Sequence, residues 1–216
     1  MGPPTDAWHH RGMNTTRAQS PDRSVIAGLL LAAGQGSRLG VPKALLEVAG
    51  ERLVDRGVRT LREGGCDPVY VVTGAAEVAV DGASGVHNPD WDSGMGSSLR
   101  AGLDVLSEEV EAVVIALTDQ PLVSPPAVRR LVDAFDGGAR AVVATYAGNP
   151  RNPVLLAREH WPSVHALAEG DVGARPFLRA YSHLVTEIPC DDVARPDDID
   201  TPEDLARLRE LCEPRQ

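Results

Sequence analysis

The sequence predicts an α/β protein built on a mainly parallel sheet, and three observations carry that expectation. Short β-branched or leucine-rich runs alternate with helical patterns from Val25 onward, the signature of repeated βα units. Apolar residues make up 43% of the chain but aromatics only 4%, so the core must rest on Leu, Val, Ile and Ala, a mixture suited to a buried parallel sheet. A glycine-rich segment follows the first strand directly, at a carboxyl end of the sheet, where open α/β folds bind ligands.

The 216 residues suit one domain, assigned here to 25–212, with no internal repeat. Residues 1–24, rich in Pro, Thr, Arg and Gly without an apolar stretch, read as a disordered N-terminal extension, with Met13 an alternative start and no chemical role for His9 or His10. Val25–Leu31 is the first strand. Leu53, Val54, Val58 and Leu61 recur at helical spacing and stop at Gly64 and Gly65, giving the first helix. Pro68–Thr73 is the second strand, Ser97–Leu106 the second helix and Ala112–Leu117 the third strand. Ser124 caps a helix opened by Pro125 and Pro126 and buried through Val128, Leu131 and Val132. Ala141–Tyr146 is a strand, Pro153–Leu156 strand-like, Val172–Tyr181 a helix and Leu184–Ile188 a short strand. Thr201 caps the last helix, with Pro202, Glu203 and Asp204 in its first turn and Leu205, Leu208 and Leu211 along one side.

A formal charge of −10 argues against broad attraction to nucleic acid or to an anionic membrane, though a small anionic ligand can still bind a local cationic site. Cys66, Cys190 and Cys212 are widely separated, without CxxC spacing or a His partner, and read as reduced thiols of a cytoplasmic protein. No run approaches the ~20 apolar residues of a membrane span.

Leu31-Ala32-Ala33-Gly34-Gln35-Gly36-Ser37-Arg38-Leu39-Gly40-Val41-Pro42-Lys43 has the small residues that let backbone N–H groups approach phosphate oxygens, and Arg38 and Lys43 add positive charge nearby. It is no P-loop, because Lys43 precedes Ala44 rather than a hydroxyl residue. It fits a dinucleotide fingerprint poorly: the third glycine comes one residue late, Pro42 follows soon after, and Asp55, the available acidic residue, falls mid-helix rather than at a strand end.

The pattern Leu-Ala-Ala-Gly-x-Gly-x-Arg-x-Gly-x-Pro-Lys resembles the signature of the MobA-like NTP transferase family, and within it the molybdenum cofactor cytidylyltransferase branch, over about Val25–Leu211. The resemblance implies a Rossmann-like three-layer sandwich of the nucleotide-diphospho-sugar transferase type. It also implies a nucleotide held by Leu31, Ala32, Ala33, Gly34, Gly36, Ser37, Arg38 and Lys43, with Asn88 and Ser98 contributed from a second loop, and catalytic roles for Arg38, Lys43 and Asp119.

Asp119 stands just past a strand, and Asp200 before the last helix, so two aspartates from separate strand ends can complete a Mg²⁺ shell once an NTP is present. In the family the aspartate matching Asp119 binds the metal. Asp200 is assigned the second contact with Asp198 as the alternative, while Glu203 and Asp204 serve the helix start.

The segment from His87 to Arg100 gathers hydroxyl, amide and glycine groups at a helix start, where an anion can be held and where Ser97 or Ser98 can equally be an N-cap. It resembles the family's Asn-Pro-x-Trp/Tyr-x-x-Gly-x-x-x-Ser stretch, placing Trp91, Gly94 and Met95 near the acceptor. Gly148 to Val154 resembles the family's Gly-x-x-Gly-His-Pro, but Arg151 and Asn152 replace its Gly-His; the arginine can clasp a phosphate or carboxylate, and an imidazole donor is lost. Arg175, in Gly170-Asp171-Val172-Gly173-Ala174-Arg175, either touches the acceptor or fixes its loop through Asp171.

The expected reaction is Mg²⁺-dependent attack of an acceptor phosphate on the α-phosphorus of an NTP with release of pyrophosphate. By resemblance the donor is CTP, the acceptor the molybdenum-binding pterin, and the product's recipient a molybdoenzyme or its maturation factor. Sugar- or alditol-phosphate nucleotidyl transfer, and nucleotide binding without turnover in a chaperone or regulator, are the alternatives.

Overall fold

A computed structural model describes residues 24–212, so the extension expected over residues 1–24 lies, Ser24 apart, outside the described residues. The chain opens with β1 (Ile26–Leu31), a small hairpin of β2 (Glu47–Val48) and β3 (Glu51–Arg52), α1 (Leu53–Glu63), β4 (Val69–Thr73) and β5 (Ser84–His87). It continues through α2 (Met95–Asp104), β6 (Ala112–Leu117), α3 (Pro125–Asp136), β7 (Ala141–Tyr146) and β8 (Asn149–Ala157). It closes with α4 (Trp161–Leu167), α5 (Arg175–Ala180), β9 (Val185–Pro189) and α6 (Pro202–Cys212).

Seven strands form one sheet in the order β5-β4-β1-β6-β8-β7-β9. All pairings are parallel except the two that β8 makes, with β6 and β7. This is the expected α/β three-layer sandwich. β1 lies inside the sheet and all six of its residues are buried. Because side chains alternate along a strand, Ile26 and Leu30 enter one core with α1 and α3, whereas Leu29 and Leu31 enter the other with α2, α4 and α5. A third cluster, joining Leu46, Val48 and Leu53 to Ile199 and Leu208, seats α6 beside the hairpin.

Glycines let helices approach β1 closely from both sides. A Cβ on Gly57 of α1 would stand 2.7 Å from a Leu30 methyl, and one on Gly102 of α2 would stand 2.5 Å from a Leu29 methyl. The carboxyl end of β1 is therefore clamped between layers, and the loop that leaves it starts from a fixed point.

Most boundaries fall where sequence placed them, and the departures have local causes. The helix expected over Val172–Tyr181 is a 3₁₀ turn at Gly170–Val172 followed by α5, because Gly173 turns the chain at φ 54° and Pro176, lacking an N–H, fits only a first helical turn. α2 begins at Met95, two residues before the expected Ser97, directly after Gly94 at φ 114°. Neither Ser97 nor Ser98 is its cap. The strand expected at Pro153–Leu156 extends over Asn149–Ala157, with a bulge where Val143 pairs with Val154 but Ala144 pairs with Arg151. Asn152 and Pro153 are left out of the ladder there, a bulge being where a residue without an N–H is tolerated. Asp55 sits in the first turn of α1 rather than mid-helix, held by Arg52 through bonds of 2.6 and 2.7 Å. α4 was not foreseen.

Both predicted caps form. The Ala127 N–H donates to Ser124 Oγ at 3.4 Å, and Thr201 exchanges bonds with Asp204, whose backbone N–H donates to Thr201 Oγ1 at 3.2 Å while its carboxylate accepts from the Thr201 N–H at 2.9 Å. Along α6, Leu208 is buried and Leu205 partly so, but Leu211 is exposed. No described helix is long and apolar enough to cross a membrane.

Two outcomes test this packing. Gly102→Ala adds about 1 kcal/mol of helix propensity, but overpacking against Leu29 costs about 1–3 kcal/mol, so urea denaturation should show a net loss; a raised midpoint would show that the layers can separate freely. Burial pushes the Cys66 thiol up to about 12, and Cys66 and Cys190 are buried while Cys212 is partly exposed. Iodoacetamide at pH 8–9, read by mass spectrometry, should label Cys212 in the native protein and all three thiols only after unfolding.

Candidate active site

The glycine-rich loop is anchored at its root by both neighbours of β1. The Ala32 N–H donates to the Val72 carbonyl at 2.8 Å, and the Leu31 carbonyl accepts from the Thr118 N–H at 3.1 Å and the Thr118 hydroxyl at 3.0 Å. Farther on, the loop closes on itself: the Leu39 and Gly40 N–H groups donate to the Gly36 carbonyl at 2.9 and 3.0 Å. Gly36 holds φ at 63°, and a Cβ there would lie 2.2 Å from the Val41 carbonyl oxygen. Only glycine makes this turn without displacing backbone. Gly34 is different, since a Cβ on it meets nothing within 4 Å.

Lys43 begins a short 3₁₀ turn just beyond the loop, and its Nζ donates to Asp119 Oδ2 at 2.9 Å and Asp200 Oδ1 at 2.5 Å. Burial alone would lower the lysine pKa, but the ion pairs with Asp119 and Asp200 outweigh it and hold the pKa above its ordinary value. Backbone and side-chain bonds align the two acidic segments. The Ile199 N–H donates to the Asp119 carbonyl at 2.8 Å, and Gln120 Nε2 donates to Asp198 Oδ1 at 2.8 Å. Asp198 thus faces Gln120 while Asp200 shares Lys43 with Asp119. Desolvation pushes the Asp198 carboxyl up; the Gln120 donor opposes this, and Asp119 and Asp200 add to it.

A cavity of about 370 Å³ opens over Lys43 and Asp119, while Asp198 and Asp200 do not line it. Its lining contains Leu31, Ala32, Ala33, Gly34, Gly36, Ser37, Lys43, Ser98 and Asp119 from the expected set. Trp91 and Gly94, expected beside the acceptor, line this first cavity, as does Asp171, which sequence reasoning left without a ligand role. Two expected nucleotide contacts stand apart from it. Arg38 is exposed and does not line the cavity, and Asn88 is buried, its Nδ2 donating to Ser97 Oγ at 2.8 Å and Ser98 Oγ at 3.0 Å. Asn88 therefore orients Ser98 from behind.

A second cavity of about 340 Å³ adjoins the first, and Leu31, Met95 and Leu117 belong to both walls. Arg151, Asn152 and Arg175 line it together with Arg179 and Glu187, two residues without a motif to flag them. Between the cavities, the turn around Asp171 docks on the start of α2, where the Met95 N–H donates to Asp171 Oδ1 at 3.3 Å. Asp171 makes this bond rather than an ion pair with Arg175. A Cβ on Gly96 would lie 2.6 Å from the Ala168 carbonyl oxygen, so this contact too depends on a glycine.

A profile of the MobA-like NTP transferase domain matches residues 28–185, which include the loop, Asp119 and the lining of both cavities except Glu187, and stop before Asp200. The chain belongs to the MobA-like NTP transferase family. Family membership makes it a nucleotidyltransferase homologue whose relatives bind nucleoside triphosphates and a phosphorylated acceptor. It is 39% identical over 201 residues to nicotine blue oxidoreductase of Paenarthrobacter nicotinovorans, covering 87% of this chain and 98% of that one. It is 45% identical over 58 residues, 27% of this chain and 29% of the relative, to the "Probable molybdenum cofactor guanylyltransferase" of Opitutus terrae. Among solved structures, Rv0371c from Mycobacterium tuberculosis H37Rv superposes with a TM-score of 0.76 at 29% identity, covering 87% of this chain and 99% of that one. A manganese complex of Rv0371c superposes at 0.73 with 28% identity and the same coverage.

The two loop glycines separate folding from binding. Gly36→Ala should lower the thermal midpoint and weaken NTP binding together, whereas Gly34→Ala should keep the midpoint and weaken binding by filling cavity space. Differential scanning fluorimetry with and without NTP checks both, and equal behaviour of the two variants would refute the distinction.

Proposed function

We propose that the chain is a Mg²⁺-dependent nucleotidyltransferase that moves CMP from CTP to the phosphate of the molybdenum-binding pterin and releases pyrophosphate. The observation that carries this reading is Lys43 held between Asp119 and Asp200, with Lys43 and Asp119 in the wall of the first of two adjoining cavities. One cavity suits the nucleotide and the other the acceptor, so the reacting phosphates meet over Leu31 and Leu117.

Asp119 and Asp200 are the residues to hold the metal. Their oxygens already converge on one cation, and among the described residues no third His, Cys, Asp or Glu joins them. Two carboxylates completed by substrate phosphates are an ordinary complement for Mg²⁺, which supplies charge stabilisation on the triphosphate when bound. Backbone N–H groups of the loop cradle the phosphates, and Lys43 turns from the carboxylates to the charge that develops on them. An acceptor oxygen bonds to the α-phosphorus as the bond from that phosphorus to the pyrophosphate oxygen breaks. No general base is needed, because a phosphomonoester with a second pKa of about 6 is already anionic near neutrality. Positioning accounts for the rest of the rate. The product would pass to a molybdoenzyme or its maturation factor.

A second reading is favoured by the 39% identity to a protein named nicotine blue oxidoreductase. In it the first cavity holds a reduced dinucleotide and the second a flat acceptor of electrons. Pyrophosphate release, measured for CTP, GTP, ATP and UTP with molybdopterin, separates the readings when run beside NADH and NADPH oxidation with a quinonoid dye. The proposal expects release fastest with CTP, loss on adding EDTA, and a fall of about 10²–10³-fold in Asp119→Asn, the scale of losing one charge-stabilising group. Dinucleotide oxidation without pyrophosphate release from any NTP would overturn it, as would nucleotide binding without either reaction. Release with sugar or alditol phosphates but not molybdopterin would retain the transfer chemistry and replace the acceptor.

A further inference from the structure

The start of α2 is capped from outside its own segment. Gly94, the residue before the helix, has no side chain to accept from the first N–H groups, and two nearby hydroxyls are turned elsewhere. Ser93 Oγ donates to the Asp90 carbonyl at 2.7 Å, and Ser97 Oγ lies 2.8 Å from the carbonyl oxygens of both Asp90 and Gly94. The acceptor for the Met95 N–H is instead Asp171 Oδ1, 76 residues further on. An orphan N–H at a helix start and a carboxylate are matched partners, because the helix dipole places positive charge there.

Asp171 is itself exposed, and what brings it to α2 is backbone packed on backbone. A Cβ on Gly94 would stand 2.5 Å from the Gly170 carbonyl carbon, one on Gly96 2.8 Å from the Glu169 nitrogen, and one on Gly173 3.0 Å from Met95 Sδ. The three glycines let the turn and the helix meet with no side chain of theirs between them. The Arg100 guanidinium, further along α2, donates to the Ala168 carbonyl and fastens the other end of the contact. Gly170 at φ 51° and Gly173 at φ 54° bracket Asp171 and Val172. Asp171 lines the first cavity and Val172 the second, so this short turn stands between them. Deeper in α2, Leu99 and Leu103 are fixed in the core, and Asn88 holds Ser97 and Ser98. What the distant turn holds is therefore Gly94 to Gly96.

We propose that Asp171 is a positioning residue for both cavities: it caps α2 from the far turn and so fixes Met95, the side chain of α2 that lines both walls. Its effect on nucleotide affinity rests on the transferase reading; its hold on Met95 does not.

The test reads Met95 directly. Of the three methionines only Met95 lies in the described residues, and carbon-13 methyl labelling of the full chain gives its NMR signal, assigned with Met95→Leu. Asp171→Ala and Asp171→Asn lose the same charge, but only asparagine keeps an oxygen for the Met95 N–H. Asp171→Ala should move the Met95 methyl resonance, and Asp171→Asn should leave it at the wild-type position. Gly96→Ala, which wedges the turn away while Asp171 stays in place, should move it as Asp171→Ala does. CTP with Mg²⁺, titrated by calorimetry, should bind about fivefold more weakly to Asp171→Ala than to Asp171→Asn, the scale of one capping bond lost from the population with a formed wall. An unmoved resonance in Asp171→Ala or Gly96→Ala, a shift that persists in Asp171→Asn, or equal CTP affinity of the two Asp171 variants would overturn the proposal. If the wild-type protein binds no CTP while the Met95 shifts follow this pattern, the nucleotide reading falls and the positioning role stands.

Discussion

Two carboxylates and one ammonium organise the molecule's working end. Lys43, Asp119 and Asp200 come from three distant stretches of chain, and their ion pairs tie the glycine-rich loop to the end of β6 and to the start of α6. Unit charges of like sign about 4 Å apart repel by roughly 4 kcal/mol at the effective dielectric near a protein surface, and the partial exposure of Asp200 screens part of this. A cation is what allows the two aspartates to share a site. Under the proposed metal role, a divalent ion would meet an arrangement of oxygens that exists before it arrives.

The sheet explains why the second cavity is separate from the first. β1, β4 and β6 run parallel and end together, which places the loop and Asp119 on one rim. β8 runs the other way and enters the sheet from that rim, so Arg151 and Asn152, near its start, line the second cavity instead of lying at the base of the fold. The bulge at Asn152 and Pro153 interrupts the ladder there. A strand reversal and one irregularity thus shape a second cavity beside the first.

The sequence was most legible where local rules decide the outcome. β6 and β7 were read to the residue from their apolar runs, and the Ser124 and Thr201 caps followed from side-chain chemistry at helix starts. Lys43, Asp119 and Asp200 were separately visible by motif and strand-end position, but their shared hydrogen bonds depend on how three loops fold together. Asn88 shows the limit of motif reading: its motif position suggested a ligand contact, yet its amide is consumed by Ser97 and Ser98. Glu187 had no motif at all. Its side of β9 is set by register against β7, a long-range pairing that one chain's local pattern does not encode. α4 could have been found from Trp161, Val164 and Ala168, with Pro162 in the first turn, but Pro162 weakened its helical pattern.

Leu31, Met95 and Leu117 belong to both cavity walls. A side chain that serves two sites at once cannot adapt to one occupant without altering the surface offered to the other. Any shift of Met95 that improves packing against a ligand in the second cavity therefore changes the affinity of the first for its own ligand, and thermodynamic linkage requires the reverse effect by the same factor. Order of addition then becomes a property of this wall, with no distant relay needed, and the flexible thioether is its most adaptable part.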